Sequence, residues 1–255
     1  MESLTTFRVF AKSEATNVGR RVTPVVVVIP TFNEAESIGP VVTELPRAAV
    51  DRVIVVDGGS TDGTQECARK AGAEVIGVGR GYGLACLTGA LAAGDDDIIV
   101  FMDGDGADDP ATIAALVEPI RGDKYDFVIA SRTQGKREPG SMAAHQLLAG
   151  LVAGRLTGLL YGVRYTDMCA FRAIRRDTLL KLGMRETTYG WNLEMQMRVA
   201  RAGLRVLEVP AAYRKRLGGE SKVAGSLRGS IKAGLRIMTT FARVAIEPIR
   251  TRAPS

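Results

Sequence analysis

The stretch Ile98-Ile99-Val100-Phe101-Met102-Asp103-Gly104-Asp105-Gly106 decides how the rest of the chain is read. An unbroken apolar run delivers two aspartates, one residue apart, into a glycine-flanked turn. Continuous apolar residues bounded by turn formers suit a buried strand of a covered parallel sheet. In a strand-like stretch residues i and i+2 point to the same side. Asp103 and Asp105 can then offer oxygens to one hard divalent cation, and such cations commonly bridge protein carboxylates to substrate phosphates. A solvated acidic turn is the competing reading, because Asp and Gly are ordinary loop residues. The motif alone favours that plainer reading, and the upstream sequence reverses the balance.

Residues 24–30 (PVVVVIP) are a dense β-branched run that predicts a strand, ending in Thr31-Phe32-Asn33-Glu34. Helical spacing follows over residues 35–45 and opens on acids, as helix starts prefer. Further strands are predicted over 52–56, 74–78 and 97–102, with helices over 64–71 and 84–93. This alternation argues an α/β fold, a parallel sheet built through βαβ crossovers. Ligands of such sheets bind beyond the carboxyl ends of the strands. Residues 31–34, 57–62, Arg80 and 103–105 all fall there, a coincidence that ordinary surface turns do not explain.

Composition bounds the function classes. The 255 residues are 46% hydrophobic and 24% charged, which is a folded chain and not a disordered one. Residues 1–23 read as a polar N-terminal arm without the apolar core of a signal peptide. Cys67, Cys86 and Cys169 are far apart and odd in number, which fits free thiols in a reduced cytosol. Of the net charge of +6, residues 201–255 carry +9 (12 Lys/Arg against 3 acids), leaving −3 for the rest. A basic tail on a mildly acidic body suits an anionic partner: phosphate, lipid headgroups or nucleic acid. The glycines of residues 77–83 miss G-x-G-x-x-G because Leu84 stands where the last glycine belongs, and no P-loop is present. A dehydrogenase or P-loop NTPase is disfavoured.

The ordered set VVVVIPTFNEAESI, VIVVDGGSTDGT, GRGYG and FMDGDGADDP resembles family 2 glycosyltransferases of the GT-A fold. Downstream, SRTQGKREPG, TDMCAFRAIRR, YGWNLEMQMRVARAG and EVPAAYRKRLGGESKVAG are similar to the dolichyl- or polyprenyl-phosphate sugar transferase branch. The likeness runs from about Val25 to Gly225. It implies a GT-A domain over residues 24–225, with residues 226–255 as a C-terminal amphipathic helix and tail.

The resemblance implies that Pro30, Phe32 and Glu34 line the base and ribose pocket of a nucleotide sugar. It makes Asp57 a further nucleotide contact. Asp103 and Asp105 correspond to the DxD pair that holds Mg²⁺ or Mn²⁺ against the diphosphate of a UDP- or GDP-hexose, where the metal offsets charge on the departing group. Arg80 adds a positive group near the nucleotide or is a surface charge. The family often carries two acids where this chain has Asp57-Gly58, and residues 106–110 also depart from its usual pattern.

Arg132, at the end of a strand over 126–131, matches a position near the acceptor phosphate, where a guanidinium suits bidentate hydrogen bonding. A surface arginine at a strand end is the alternative. Asp167 and Arg172 sit in the TDMCAFR pattern, either as catalytic groups or as a buried ion pair at the sheet's far edge. Trp191, Asn192 and Glu194 resemble a segment that covers the sugar, and Trp191 either stacks there or fills core. Arg216, Ser221 and Lys222, around Gly218-Gly219, suit a basic lid over phosphates, with a solvated charge run as the alternative.

The expected chemistry is single displacement with inversion at the anomeric carbon. An anionic phosphate acceptor needs no strong general base, whereas a hydroxyl acceptor would draw on Asp167 or Glu194. A soluble small-molecule acceptor competes with polyprenyl phosphate. The Leu/Ala/Gly-rich segment 141–162 is broken by His145 and Arg155, so no transmembrane helix is expected there. His145 reads as structural. Leu227, Ile231 and Leu235 alternate with Arg228, Lys232 and Arg236 in the manner of a basic amphipathic helix, on an anionic membrane or packed on the domain. A cytoplasmic protein, peripheral at the membrane and a candidate homo-oligomer, is the expected setting. A nucleotidyltransferase lacks its glycine-rich basic loop after the first strand. A nucleic-acid-binding role leaves the acidic strand ends unexplained.

Overall fold

The computed structural model describes residues 23–218 and 227–247, with the side chains of His145 and residues 227–235 excluded. The readings of residues 1–22, Ser221, Lys222, the His145 side chain, the stripe over 227–235 and residues 248–255 lie outside them.

β1 (Val25–Thr31) is the predicted β-branched run, and Val25 to Ile29 expose nothing. Burying each such side chain contributes about 1.5–3 kcal/mol, which explains why this strand is central. It leads through α1 (Ala35–Glu44) to β2 (Arg52–Asp57), then α2 (Thr64–Lys70), β3 (Glu74–Gly77), α3 (Tyr82–Ala92) and β4 (Ile98–Phe101). After a 3₁₀ turn come α4 (Ile113–Arg121), β5 (Phe127–Ser131), α5 (Ala144–Tyr161) and β6 (Arg172–Arg175). The chain closes with α6 (Arg176–Lys181), α7 (Trp191–Arg201), β7 (Val206–Pro210) and α8 (Leu227–Ile246).

The seven strands lie in the order β3-β2-β1-β4-β6-β5-β7. The chain runs outward from β1 to β3, then returns to place β4 on the other side of β1. The crevice between the carboxyl ends of β1 and β4 is therefore a topological switch point, where open α/β sheets bind ligands. Thr31 pairs with Asp57 and Val28 with Phe101, so the carboxyl ends of these three strands share one rim.

The sheet is not wholly parallel. β6 runs antiparallel to both β4 and β5, with Phe101 opposite Arg172. Its four residues begin and end on arginine, so no apolar run announces it. The reversal brings the segment before β6, including Asp167, to the rim that the parallel strands reach with their carboxyl ends. α5, α7 and α8 share a second small core of Ala153, Leu193, Met197 and Val244.

Candidate active site

The first wall of the site is stitched together by short polar side chains. Asn33 adopts a left-handed conformation (φ 52°), and its N–H donates to Ser60 Oγ at 2.8 Å while its Oδ1 accepts from Thr61 N–H at 3.1 Å. Glu34 N–H donates to Thr64 Oγ1 and Ala35 N–H to Asp62, so the loops after β1 and β2 form one unit. Pro30, Phe32 and Glu34 are all half-buried on this rim. Arg80, exposed, stacks over the Phe32 ring at 4.0 Å from its centroid.

Asp57 is fully buried and engaged by the protein itself. It accepts from Gly59 N–H (3.1 Å), Ser60 N–H (2.9 Å), the Ser60 hydroxyl, the Gln65 amide (2.8 Å) and the Thr31 hydroxyl (3.3 Å). Burial alone would push this carboxyl up, but the bonds from Ser60, Gln65 and Gly59 outweigh it and hold the group below the ordinary range. As it stands, Asp57 shapes the loop that follows β2.

Across the crevice, β4 ends at Phe101, and Asp103 and Asp105 stand in the turn that follows. Strand alternation therefore does not place them; the turn does. Asp103 Oδ1 accepts from Tyr82 Oη at 3.1 Å, and its N–H donates to Asp108 Oδ2 at 3.3 Å. Asp105 Oδ1 accepts from Ala107 N–H at 2.9 Å, and Oδ2 pairs with Arg216 Nη2 at 2.8 Å. Burial, then the Asp105 carboxylate, push Asp103 up to about 6. Burial, then Asp103 and Asp105, push Asp108 well above its usual value. Three carboxylates thus share one poorly solvated place, and Arg132 and Arg216 only partly offset them.

That donor set has the chemistry of a cation site. The mutual repulsion is one that an added positive charge relieves, and carboxylate oxygens suit hard cations such as Mg²⁺ and Mn²⁺. Asp103 and Asp105 fit the group on that chemistry, with Asp108 behind them. Among the described residues, no three acidic, His or Cys side chains are gathered as a ready ligand shell.

The basic segment after β7 lies on this turn. Leu217 N–H donates to Asp105 C=O at 2.9 Å and Arg214 N–H to Ala107 C=O at 2.8 Å. Gly106, at φ +78°, lies beneath Leu217, whose Cδ1 would stand 2.5 Å from any added Cβ. Arg214 bridges Glu44 and Asp109 at 2.7 and 2.8 Å. The run is therefore committed in part to ion pairs and not simply solvated.

Arg132 and Asp167 form a bidentate ion pair, Nε to Oδ2 at 2.7 Å and Nη2 to Oδ1 at 2.8 Å. Arg132 N–H adds a third bond to Oδ2 at 3.0 Å, and the guanidinium stacks over Tyr213 at 5.0 Å. Burial opposes the charge on Asp167, but Arg132 prevails and holds the carboxyl below the usual range. Of the two readings of Asp167 and Arg172, the ion pair between them is not formed: Asp167 pairs with Arg132. Arg172, fully buried, donates to the carbonyls of Cys169, Ala170 (3.1 Å) and Asn192 (3.0 Å), because antiparallel β6 aims it into α7.

Glu194, the other candidate base, is taken up by partners within the protein. It exposes nothing and accepts from Arg185 N–H (3.0 Å), Glu186 N–H (2.6 Å), Arg198 Nε (2.8 Å) and Arg243 Nη1 (3.0 Å). It ties residues 185–186, α7 and α8 together. Trp191 fills core, 1% exposed and edge-on to Phe101 at 6.2 Å between ring centroids. On α8, Arg236 and Arg243 turn to Glu186 and Glu194, so the described part of the basic stripe faces the protein's own acids.

Sequence reasoning missed Asp108 and Tyr82. Asp108 had a signal, being three residues past Asp105, but it stood out only as a departure from the usual motif. Tyr82 sits among glycines that serve close packing: a Cβ on Gly83 would come within 2.3 Å of the Glu186 carbonyl oxygen.

The profile described as Glycosyl transferase family 2 matches residues 26–183. An uncharacterised glycosyltransferase of Mycobacterium tuberculosis is 38% identical over 214 residues, spanning 82% of this chain and 94% of the relative. The undecaprenyl-phosphate mannosyltransferase of Micrococcus luteus is 33% identical over 225 residues, spanning 80% of this chain and 89% of that protein. Glucosyl-3-phosphoglycerate synthase from Mycobacterium tuberculosis, solved with Mn²⁺, uridine-diphosphate-glucose and phosphoglyceric acid, superposes with a TM-score of 0.70. That likeness covers 89% of this chain and 81% of the synthase at 23% identity, so it speaks for the shared GT-A fold alone. The chain belongs to glycosyl transferase family 2.

Proposed function

We propose that this glycosyltransferase moves a hexose from a UDP- or GDP-sugar to a polyprenyl phosphate. The observation that carries the reading is the cluster of Asp103, Asp105 and Asp108 at the switch-point crevice, with Arg132 and Arg216 beside it. Similarity to an undecaprenyl-phosphate mannosyltransferase over most of both chains supports the lipid-phosphate acceptor.

In this reading Pro30, Phe32 and Glu34 receive the base and ribose, with Arg80 held against Phe32 and Asp57 keeping the adjoining loop in shape. Asp103 and Asp105 would hold Mg²⁺ or Mn²⁺, which would supply positive charge beside the departing diphosphate. Arg216, held on the turn that carries Asp103 and Asp105, offers a guanidinium to the phosphates. Arg132, fixed in orientation by Asp167, presents a guanidinium to the acceptor phosphate. The acceptor oxygen attacks the anomeric carbon from the face opposite the nucleotide. The bond from that carbon to the diphosphate oxygen breaks, its electron pair leaves with the diphosphate, and configuration inverts.

A phosphate acceptor is anionic near neutral pH and needs no strong base. That suits a site whose two candidate bases, Asp167 and Glu194, are already committed to guanidinium and backbone donors. The test is a thermal-shift screen of UDP- and GDP-sugars with Mg²⁺ or Mn²⁺, then turnover with undecaprenyl phosphate. Linkage raises the Tm for the right nucleotide only. Transfer to undecaprenyl phosphate that is lost in Asp105→Ala supports the reading. Transfer only to water-soluble acceptors overturns the lipid acceptor, and full metal-dependent turnover by Asp105→Ala overturns the metal assignment.

A further inference from the structure

α5 is a helix with two opposite characters. Its inner side is a stripe of small residues laid directly on the segment that carries Asp167. A Cβ added at Gly154 would stand 1.9 Å from the Tyr165 carbonyl oxygen, and one at Gly158 would stand 3.2 Å from Arg164. Gly150 lies against Asp167 and Met168, at 3.5–3.8 Å for the same added atom. The helix is thus pressed against the backbone beneath the Arg132–Asp167 pair.

Its outer side is apolar and uncovered. Leu148, Leu151, Val152, Leu156, Leu159 and Leu160 are all exposed, Leu159 at 83% and Leu148 at 61%. Half of the exposed large hydrophobic side chains of the described residues lie on this one helix. Contiguous apolar surface of this kind marks an interaction face more often than a bare surface.

The charge around it says what covers it. No Asp or Glu lies between Glu138 and Asp167, and the charged side chains of that interval are Arg155 and Arg164, both exposed. Arg155, Leu159 and Arg164 line one shallow surface depression, two guanidiniums beside an apolar wall. A second copy docking through the same face would bring like charges together with no acid on the helix to answer them. Lipid phosphates answer both arginines while the leucines enter the acyl boundary. No helix of the described residues is long and apolar enough to cross a membrane.

We propose that the outer face of α5 docks the domain on an anionic bilayer. The face would put the Arg132–Asp167 pair about one helix diameter, roughly 10 Å, from the lipid surface. The proposal goes beyond the acceptor assignment and does not depend on it, since the measurement uses vesicles that contain no acceptor.

The test is co-sedimentation of the full chain with vesicles of equimolar phosphatidylcholine and phosphatidylglycerol, and with phosphatidylcholine alone. The wild type is expected to partition onto the anionic vesicles. Leu148→Ser with Leu159→Ser should cut that partition by about tenfold or more, from the lost apolar burial. Arg155→Gln should cut it by about fivefold on anionic vesicles only. Circular dichroism melting shows that the variants fold, as substitutions at exposed positions allow. Wild type left in the supernatant, or α5 variants that bind as well as wild type, overturns the proposal. So does a concentration-dependent dimer in sedimentation velocity that the leucine variant dissolves, because that assigns the face to a second copy.

Discussion

Arg216 Nη2 lies 2.8 Å from Asp105 Oδ2, so a guanidinium from the basic segment occupies an oxygen that the cation reading assigns to metal. The two backbone bonds from Arg214 and Leu217 to the same turn hold it there. In that reading guanidinium and divalent cation compete for one carboxylate. A partly exposed ion pair is worth about 1 kcal/mol, or about fivefold in an equilibrium. Arg216→Gln is expected to bind Mn²⁺ alone about fivefold more tightly in titration calorimetry, while turnover falls. Unchanged Mn²⁺ affinity would remove the competition.

The carboxylate cluster should make the metal-free chain sensitive to pH with an unusual sign. Asp103 is raised to about 6 in the fold, above the ordinary aspartate value of about 3.9. An acid raised in the fold holds its proton more tightly when folded. Its contribution favours the fold below about pH 4 and is lost as pH rises through about 6. Asp103→Asn should therefore be more stable than wild type at about pH 7, by about 1–3 kcal/mol in urea denaturation without metal. The difference should close toward about pH 4, and one that does not vary with pH takes the titration away from Asp103.

Asp167 should behave in the opposite sense. Its carboxyl is held low by Arg132, so its stabilisation is present above the unfolded value and lost as pH falls through the folded one. Asp167→Asn leaves a largely buried guanidinium unpaired and should cost about 3 kcal/mol in the same denaturation assay. Replacing both partners, as Arg132→Met with Asp167→Asn, should recover part of that loss. A double variant no better than the sum of the singles would argue against the pair.

Glu194 separates structure from catalysis. Glu194→Gln keeps the shape but removes the charge that Arg198 and Arg243 answer, and should lower stability by about 3 kcal/mol. Below its melting range the variant should retain kcat within about threefold of wild type. Loss of a general base costs about 10²–10⁴, so a drop of that size would restore Glu194 as the base.

The first half of the fold was legible at the level of elements. The predicted strands 52–56 and 74–78 became Arg52–Asp57 and Glu74–Gly77, and the helix expected over 64–71 became Thr64–Lys70. The helix expected over 84–93 starts earlier, at Tyr82, because Gly83 lets its first turn press against residues 186–187. β6 escaped notice because four residues framed by arginines carry no periodic signal. Asp103 and Asp105 were found through a strand argument that does not hold past Phe101. Asp108, which joins them, needed the turn itself.

What the sequence determined alone is the alternation of buried strands and helices and the delivery of polar tips to one rim. Those follow from apolar periodicity and turn formers, which are properties of neighbouring residues. Only the tertiary structure decided which charge answers which: Arg132 with Asp167, Arg216 with Asp105, Arg243 with Glu194. Ion pairing depends on distance through space, and most of these partners are brought together by an antiparallel strand and a returning loop that no local pattern encodes.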